Sequence, residues 1–153
     1  MIRLKDALKE IFLAAMEPGG TLHKVCEAVL DTSQTKPPTD IDNFIVLGDF
    51  RATDVRTGDL KDKYRVFEIN IECGAIVKNE VDSEAFAEEK SYEISRIIRT
   101  LLKANRKLIS TSYPSGIAKS SSLMGDYIDY VIYVDALCCL SRIVLEVKIE
   151  EED

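Results

Sequence analysis

The sequence predicts an α+β domain: a mainly antiparallel sheet of about four to six strands, packed by two helices over about 2–16 and 83–104, with a long β-hairpin loop. Three observations predict it. Tyr64 to Cys73 alternates, with Phe67, Ile69, Ile71 and Cys73 on one face and Glu68, Asn70 and Glu72 on the other, the pattern of a half-buried strand. Asn43 to Phe50 reads NFIVLGDF, apolar almost throughout, as in a strand central to a sheet. Apolar residues recur at helical spacing near the N-terminus and again after Asp82.

The first helix carries Ile2, Leu4, Ala7, Leu8, Ile11, Phe12 and Ala15 on one face, and Pro18-Gly19-Gly20 ends it. Such a stripe covers a core. The run Val25 to Leu30 alternates well enough for a strand and also fits a helical turn; Lys24 to Leu30 is taken as a strand, because Thr35 to Asp40, with Pro37 and Pro38, makes a stiff connection into the next strand. Between the two clear strands, Arg51 to Lys63 reads RATDVRTGDLKDK, polar and charged around Thr57-Gly58-Asp59, the composition of a long hairpin loop.

The second helix opens at Asp82-Ser83, either of which can cap it. Glu84, Glu88 and Glu89 stand in its first turns, and Arg96, Arg99, Lys103, Arg106 and Lys107 at its end. That arrangement complements the helix dipole, so the basic cluster reads as a solvated helix end before it reads as a nucleic-acid site. Phe86, Ile94, Ile97, Ile98, Leu101 and Leu102 form the expected buried stripe. A Ser-rich segment, expected to be a mobile loop, leads to a long strand over Tyr127 to Leu140 and another over Arg142 to Ile149. Ser141-Arg142 is either a turn or bulge between them, or the midpoint of one bent strand.

At 153 residues the chain suits one domain, here taken as 1–153 with an acidic tail at 150–153. Charged residues make up 31% and hydrophobic residues 46%, a folded and not a disordered composition. Twenty basic against 27 acidic residues give a formal charge of −7, which argues against a protein that grips duplex DNA but suits one that DNA slides past. Cys26, Cys73, Cys138 and Cys139 form no CxxC pair and His23 is the sole histidine, so buried reduced thiols are expected, with no zinc site and no cofactor. No signal peptide and no run of about 20 apolar residues is visible, which points to synthesis in the cytoplasm with no membrane partner.

Two motifs touch on chemistry. Gly116-Ile117-Ala118-Lys119-Ser120 resembles the end of a phosphate-binding loop, but Ala118 stands where the second glycine belongs. Glu146-Val147-Lys148 matches half of a metal-dependent nuclease signature, with Asp129 or Asp135 as an upstream acid, though no helix follows to complete that fold. A Ser-His-Asp triad has no setting here, and no catalytic, cofactor or metal residues are assigned.

Taken in order, an N-terminal helix, a proline-containing lead into FIVLG, a charged hairpin loop, VFEINIEC, the helix start DSEAFAEEKSYEISRIIRTLL and a closing pair of strands resemble the tail terminator family of long-tailed bacteriophages. The lambda tail terminator and related tail-completion proteins are the reference, and the resemblance spans about residues 2–149. It implies a virion protein of the tail or neck, assembled in the host cytoplasm. Such a protein forms a ring, usually hexameric, that caps the tail tube, stops its growth and receives the head connector, with DNA passing through the lumen without specific binding. By the same analogy Arg51, Asp54, Arg56, Asp59, Lys61 and Lys63 of the hairpin loop are the candidate contacts to tube or neighbouring subunit. Another head-to-tail joining or neck protein is the first alternative, and a nuclease using Glu146 and Lys148 the second.

Overall fold

The computed structural model describes residues 2–31, 41–57, 63–77, 83–132 and 137–150, with the backbone alone at 2, 53–57, 63–64 and 126–132. Elements follow in the order α1 (Ile2–Met16), β1 (Ala28–Leu30), β2 (Asn43–Thr57), β3 (Lys63–Val77), α2 (Ser83–Ala104), β4 (Ser120–Ile132) and β5 (Leu137–Glu150). The five strands form one sheet in the order β1-β2-β3-β5-β4. β1 runs parallel to β2, and every other neighbouring pair is antiparallel. The fold class is therefore the expected one, α+β.

Both helices contribute to a single core on one face of the sheet. Leu4, Leu8 and Phe12 of α1 and Ile94, Ile98 and Leu102 of α2 meet Ile45, Leu47, Phe67, Ile69, Ile71, Cys73, Ile143, Leu145 and Val147. Because side chains alternate along a strand, the inward set from β3 and β5 is every second residue, as the alternation in VFEINIEC predicts. Leu22 and Leu108, each from the turn after a helix, close the ends of this core. Leu108 holds a positive φ of 55°, a conformation a branched side chain rarely adopts, and Asn105 braces the turn. The Asn105 amide donates to Ile109 O at 2.9 Å and its carbonyl oxygen accepts from Ile109 N–H at 2.9 Å.

Four expectations are corrected. First, strand pairing continues through Arg51–Thr57 to the pair Thr57↔Lys63, so most of the expected loop is the ladder of a long hairpin and only 58–62 connects it. The charges of RATDVRT suggested a loop, but Thr53, Val55 and Thr57 are β-branched and suit a ladder that can be wet on its open face.

Second, the closing strands are placed differently. β4 begins at Ser120 and pairs antiparallel with β5, so Ser120–Ser122 are strand and Ser141-Arg142 lie in the middle of β5. The reversal falls between Ile132 and Leu137, where the sequence YVDA offers neither Gly nor Pro as a marker. Ser121 is buried and donates to Arg106 O at 2.8 Å, and Lys119 N–H donates to Lys148 O at 2.8 Å, so hydrogen bonds hold this segment against α2's end and β5.

Third, Phe86 is 60% exposed. The buried stripe of α2 is Ala87, Ser91, Ile94, Ser95, Ile98 and Leu102, one residue around the helix from the expected one at its N-terminal half. Small residues there let the helix approach the sheet, where Ala87 packs with Ala75 and Cys139. Ser91 Oγ lies 2.6 Å from Cys73 O and 2.8 Å from Ser141 Oγ. A carbonyl only accepts, so Ser91 donates its one proton to Cys73 O and Ser141 donates to Ser91. This chain ties α2 to β3 and β5 at once.

Fourth, the expected strand over Lys24 to Leu30 is only Ala28–Leu30, preceded by a turn. Leu22 O accepts from Val25 and Cys26 N–H there, and Lys24 has a φ of 63°.

Candidate functional site

The other face of the sheet carries no helix among the described residues, and it divides into an apolar end and a charged end. Near β1, Phe44, Val46, Cys138 and Leu140 are buried together, with Ala28, Leu30, Ile41 and Ile76 packed on them. Gly74 makes this possible: a Cβ there would sit 2.5 Å from the Phe44 ring and 3.1 Å from Leu140, so only glycine lets the ring lie across β3.

Toward the hairpin tip the same face turns polar. Register places Val46, Glu72, Arg142 and Tyr127 in one row across β2, β3, β5 and β4, and Arg51, Glu68, Glu146 and Ser122 in another. Arg142 Nε lies 3.8 Å from Glu72 Oε1 with both side chains largely covered. Burial pushes the Glu72 carboxyl up from its ordinary range; Arg142 pulls it back and Asp49 adds to the rise. Arg51 Nη2 lies 3.4 Å from Glu68 Oε2, but Arg51 is 80% exposed, so this pair holds little energy in water.

The candidate contact residues are thus spread along a ladder instead of gathered in a loop. Arg51 faces Glu68, Asp54 faces Val66, Arg56 faces Tyr64 and Lys63 faces Thr57 in register. An irregularity between Ala52 and Asp54 inserts one extra residue in β2, and it brings Arg51, Asp54 and Arg56 into register with positions of one face. Asp59 and Lys61 lie outside the described residues, as do the side chains of Asp54, Arg56 and Lys63.

The two chemical motifs fare differently from their sequence reading. Gly116 adopts a φ of 83°, and the Ile117 and Ala118 N–H groups both donate to Lys107 O, at 3.0 and 3.1 Å. Amides committed to a carbonyl are not available to a phosphate. Glu146 and Lys148 do share the open face, but Asp129 pairs with Leu140, six residues along β5 from Glu146. At about 3.4 Å per residue that is roughly 20 Å, far beyond a shared metal ion. Asp135 lies outside the described residues. Among the described residues no group of three or more His, Cys, Asp or Glu is placed to hold a metal.

The cysteines are all buried and unbridged. Cys138 and Cys139 enter different clusters on opposite faces of β5, as adjacent strand residues must. Burial raises their thiols: Cys26 to about 11, Cys138 to about 12, and Cys73 well above the usual value. His23 Nδ1 lies 3.1 Å from Met16 O, and so donates to the end of α1. Glu10 ties α1 to the segment before β4, accepting from the Ser112 hydroxyl and, at 3.0 Å, from its N–H. The hydrogen bonds from the Ser112 hydroxyl and N–H, the hydroxyl foremost, hold its carboxyl below the ordinary range.

The edges of the sheet complete the surface. β1 covers β2 only at Phe44–Val46, so among the described residues the outer edge of β2 from Leu47 to Thr57 is unpaired. The outer edge of β4 is likewise unpaired along Ser120–Ile132. Neither edge was legible before the strand order was known.

No family model and no curated protein matches the chain. Among solved structures, it is similar to a chain from the virion of a native gene transfer agent particle, with a TM-score of 0.47, 10% identity and coverage of 94% of each chain.

Proposed function

We propose that this chain is a structural virion protein that closes into a ring on the end of a phage tail tube, ends tube growth and offers the surface on which the head connector docks. The observation that carries this reading is the element order itself: helix, short strand, long charged hairpin, helix and closing strand pair, the order in which the sequence resembles tail terminators. Two features support it. The hairpin presents Arg51 and Glu68 on an open sheet face suited to polar contact with a neighbour or tube. The net charge of −7 would let DNA pass through a lumen without being held.

The first test is polymerisation of the tail-tube protein from the same source, followed by light scattering and tube-length distributions. Substoichiometric amounts of the chain should shorten tubes and arrest elongation; unchanged lengths at saturating amounts refute a terminator. A neck protein would bind finished tubes or connectors without arresting growth. The separation of Glu146 and Asp129 weighs against the nuclease alternative with Asp129 as its upstream acid. Glu146→Gln should leave tube capping intact, and loss of a magnesium-dependent DNA cleavage activity in that variant would reverse the assignment.

A further inference from the structure

Two edges of one sheet stand unpaired among the described residues, and they match each other. In the order β1-β2-β3-β5-β4 with antiparallel pairing from β2 onward, strand direction alternates across the sheet. A β4 laid beside the β2 of a second copy in a continuous sheet is therefore antiparallel to it, the better of the two pairings. The edge of β2 left free by β1 runs from Leu47 to Thr57, and Ser120–Asp126 of β4 lies level with its Leu47–Asp54 portion.

The irregularities of the two edges also fall on one row. β2 carries an extra residue between Leu47, opposite Ile71, and Phe50, opposite Ile69. β4 carries one between Leu123, opposite Leu145, and Asp126, opposite Ile143. Since Ile69 pairs with Leu145 and Ile71 with Ile143, both bulges sit level with the pair Asn70↔Val144. Each bulge bends its edge and raises the local twist at the same height of the sheet. On the tip side of that row, Ser120–Leu123 of β4 lies level with Phe50–Asp54 of β2, and Ser122 and Arg51 share a row.

The composition of the two edges differs. β4, SSSLMGDYIDYVI, has no Lys or Pro and only Asp126 and Asp129 as charged residues, whereas the free stretch of β2 carries Arg51 and Arg56 as well as Asp49 and Asp54.

We infer that subunits join head to tail by adding β4 of one copy to the free edge of β2 in the next, making a sheet that continues around the assembly. A contact between two different patches, repeated with one rotation, closes into a ring when that rotation divides a full turn. The inference rests on the ring reading and gives it a specific interface, with Arg51 brought from the list of hairpin residues into that interface.

Paired cysteines test it. Arg51→Cys is combined in turn with Ser120→Cys, Ser122→Cys or Met124→Cys, three neighbouring β4 positions that allow for the stagger a closed ring imposes. A disulfide requires Cα atoms within about 7 Å, so only opposed positions bridge. The full chain is oxidised alone and on tail tubes, then sized by denaturing gel and native mass spectrometry. The expected result is a covalent ladder ending at the ring number for at least one pair, with each variant that carries one introduced cysteine remaining monomeric on the gel. Rings that assemble but show no bridge from any of the three pairs overturn the interface and leave the ring reading standing. Quantitative dimers from one introduced cysteine in β4 overturn it too, in favour of a two-fold contact. A subunit that stays monomeric both free and on tubes overturns the interface and the ring together.

Discussion

Replacing Ser91 by alanine should destabilise the protein well beyond what the loss of one oxygen atom suggests. Ser91 is fully buried, donates to Cys73 O at 2.6 Å and accepts from Ser141 Oγ at 2.8 Å, so two hydrogen bonds depend on it. At about 1 kcal/mol net for each, Ser91→Ala should cost about 2 kcal/mol, and Ser141→Ala about 1 kcal/mol. Once Ser91 is alanine, the Ser141 hydroxyl has lost that acceptor, so removing it as well adds little. The double variant should cost about 2 kcal/mol, a coupling of about 1 kcal/mol between the two sites. For a chain of this size each kcal/mol corresponds to roughly 2–4 °C, which places Ser91→Ala about 4–8 °C below the parent in Tm. The chain has no tryptophan, so urea unfolding is best followed by far-UV circular dichroism. Additivity within about 0.3 kcal/mol, or a Ser91→Ala effect below about 0.5 kcal/mol, would refute the claim that this hydroxyl pair fixes α2 on the sheet.

Three further outcomes follow from the packing. Gly74→Ala should cost about 1–3 kcal/mol by forcing Phe44 off β3, and full stability in urea would show that the ring has room to move. The Glu72 carboxyl binds its proton more tightly folded than unfolded, so its burden on stability is absent below the unfolded value and grows as pH rises through the raised folded value. Glu72→Gln should therefore gain stability relative to the parent as pH rises above the unfolded carboxylate value of about 4, and a parallel pair of pH–stability curves would contradict this. With Cys26 at about 11, Cys138 at about 12, and Cys73 raised and buried, no thiol should react with a disulfide reagent at pH 8 until urea unfolds the chain. Rapid labelling of any one of them in the native protein would contradict their placement.

Much of the fold was legible because its strongest signals are local. The stripes of α1 and α2 and the alternation of β3 set period and face directly, and both helix ranges agree with expectation. What escaped depends on contacts between distant segments. Ala87 and Ser91 replace Phe86 on the buried face of α2 because the helix must come close to Cys73 and Ser141, strand residues it meets only in the folded chain. Ser120–Ser122 read as a loop by composition, yet β5 supplies a ladder for them and Arg106 O accepts from Ser121. The β4–β5 reversal lacks the glycine or proline that marks most turns.

The candidate surface was legible in part. The hairpin residues enter as candidates by analogy with the tail terminators, and the bulges that align Arg51 with Asp54 and Arg56 leave no mark in composition. The free edges were hidden until the strand order placed β4 at one side of the sheet and a three-residue β1 at the other.

The central claim is that this chain caps a tube, and the most direct measurement is electron microscopy of the gold-labelled protein mixed with polymerising tail-tube protein from the same source. A cap gives label confined to one end of each tube, in a ring, with growth arrested at that end. Label along the tube walls, or tubes that bear none, would contradict it.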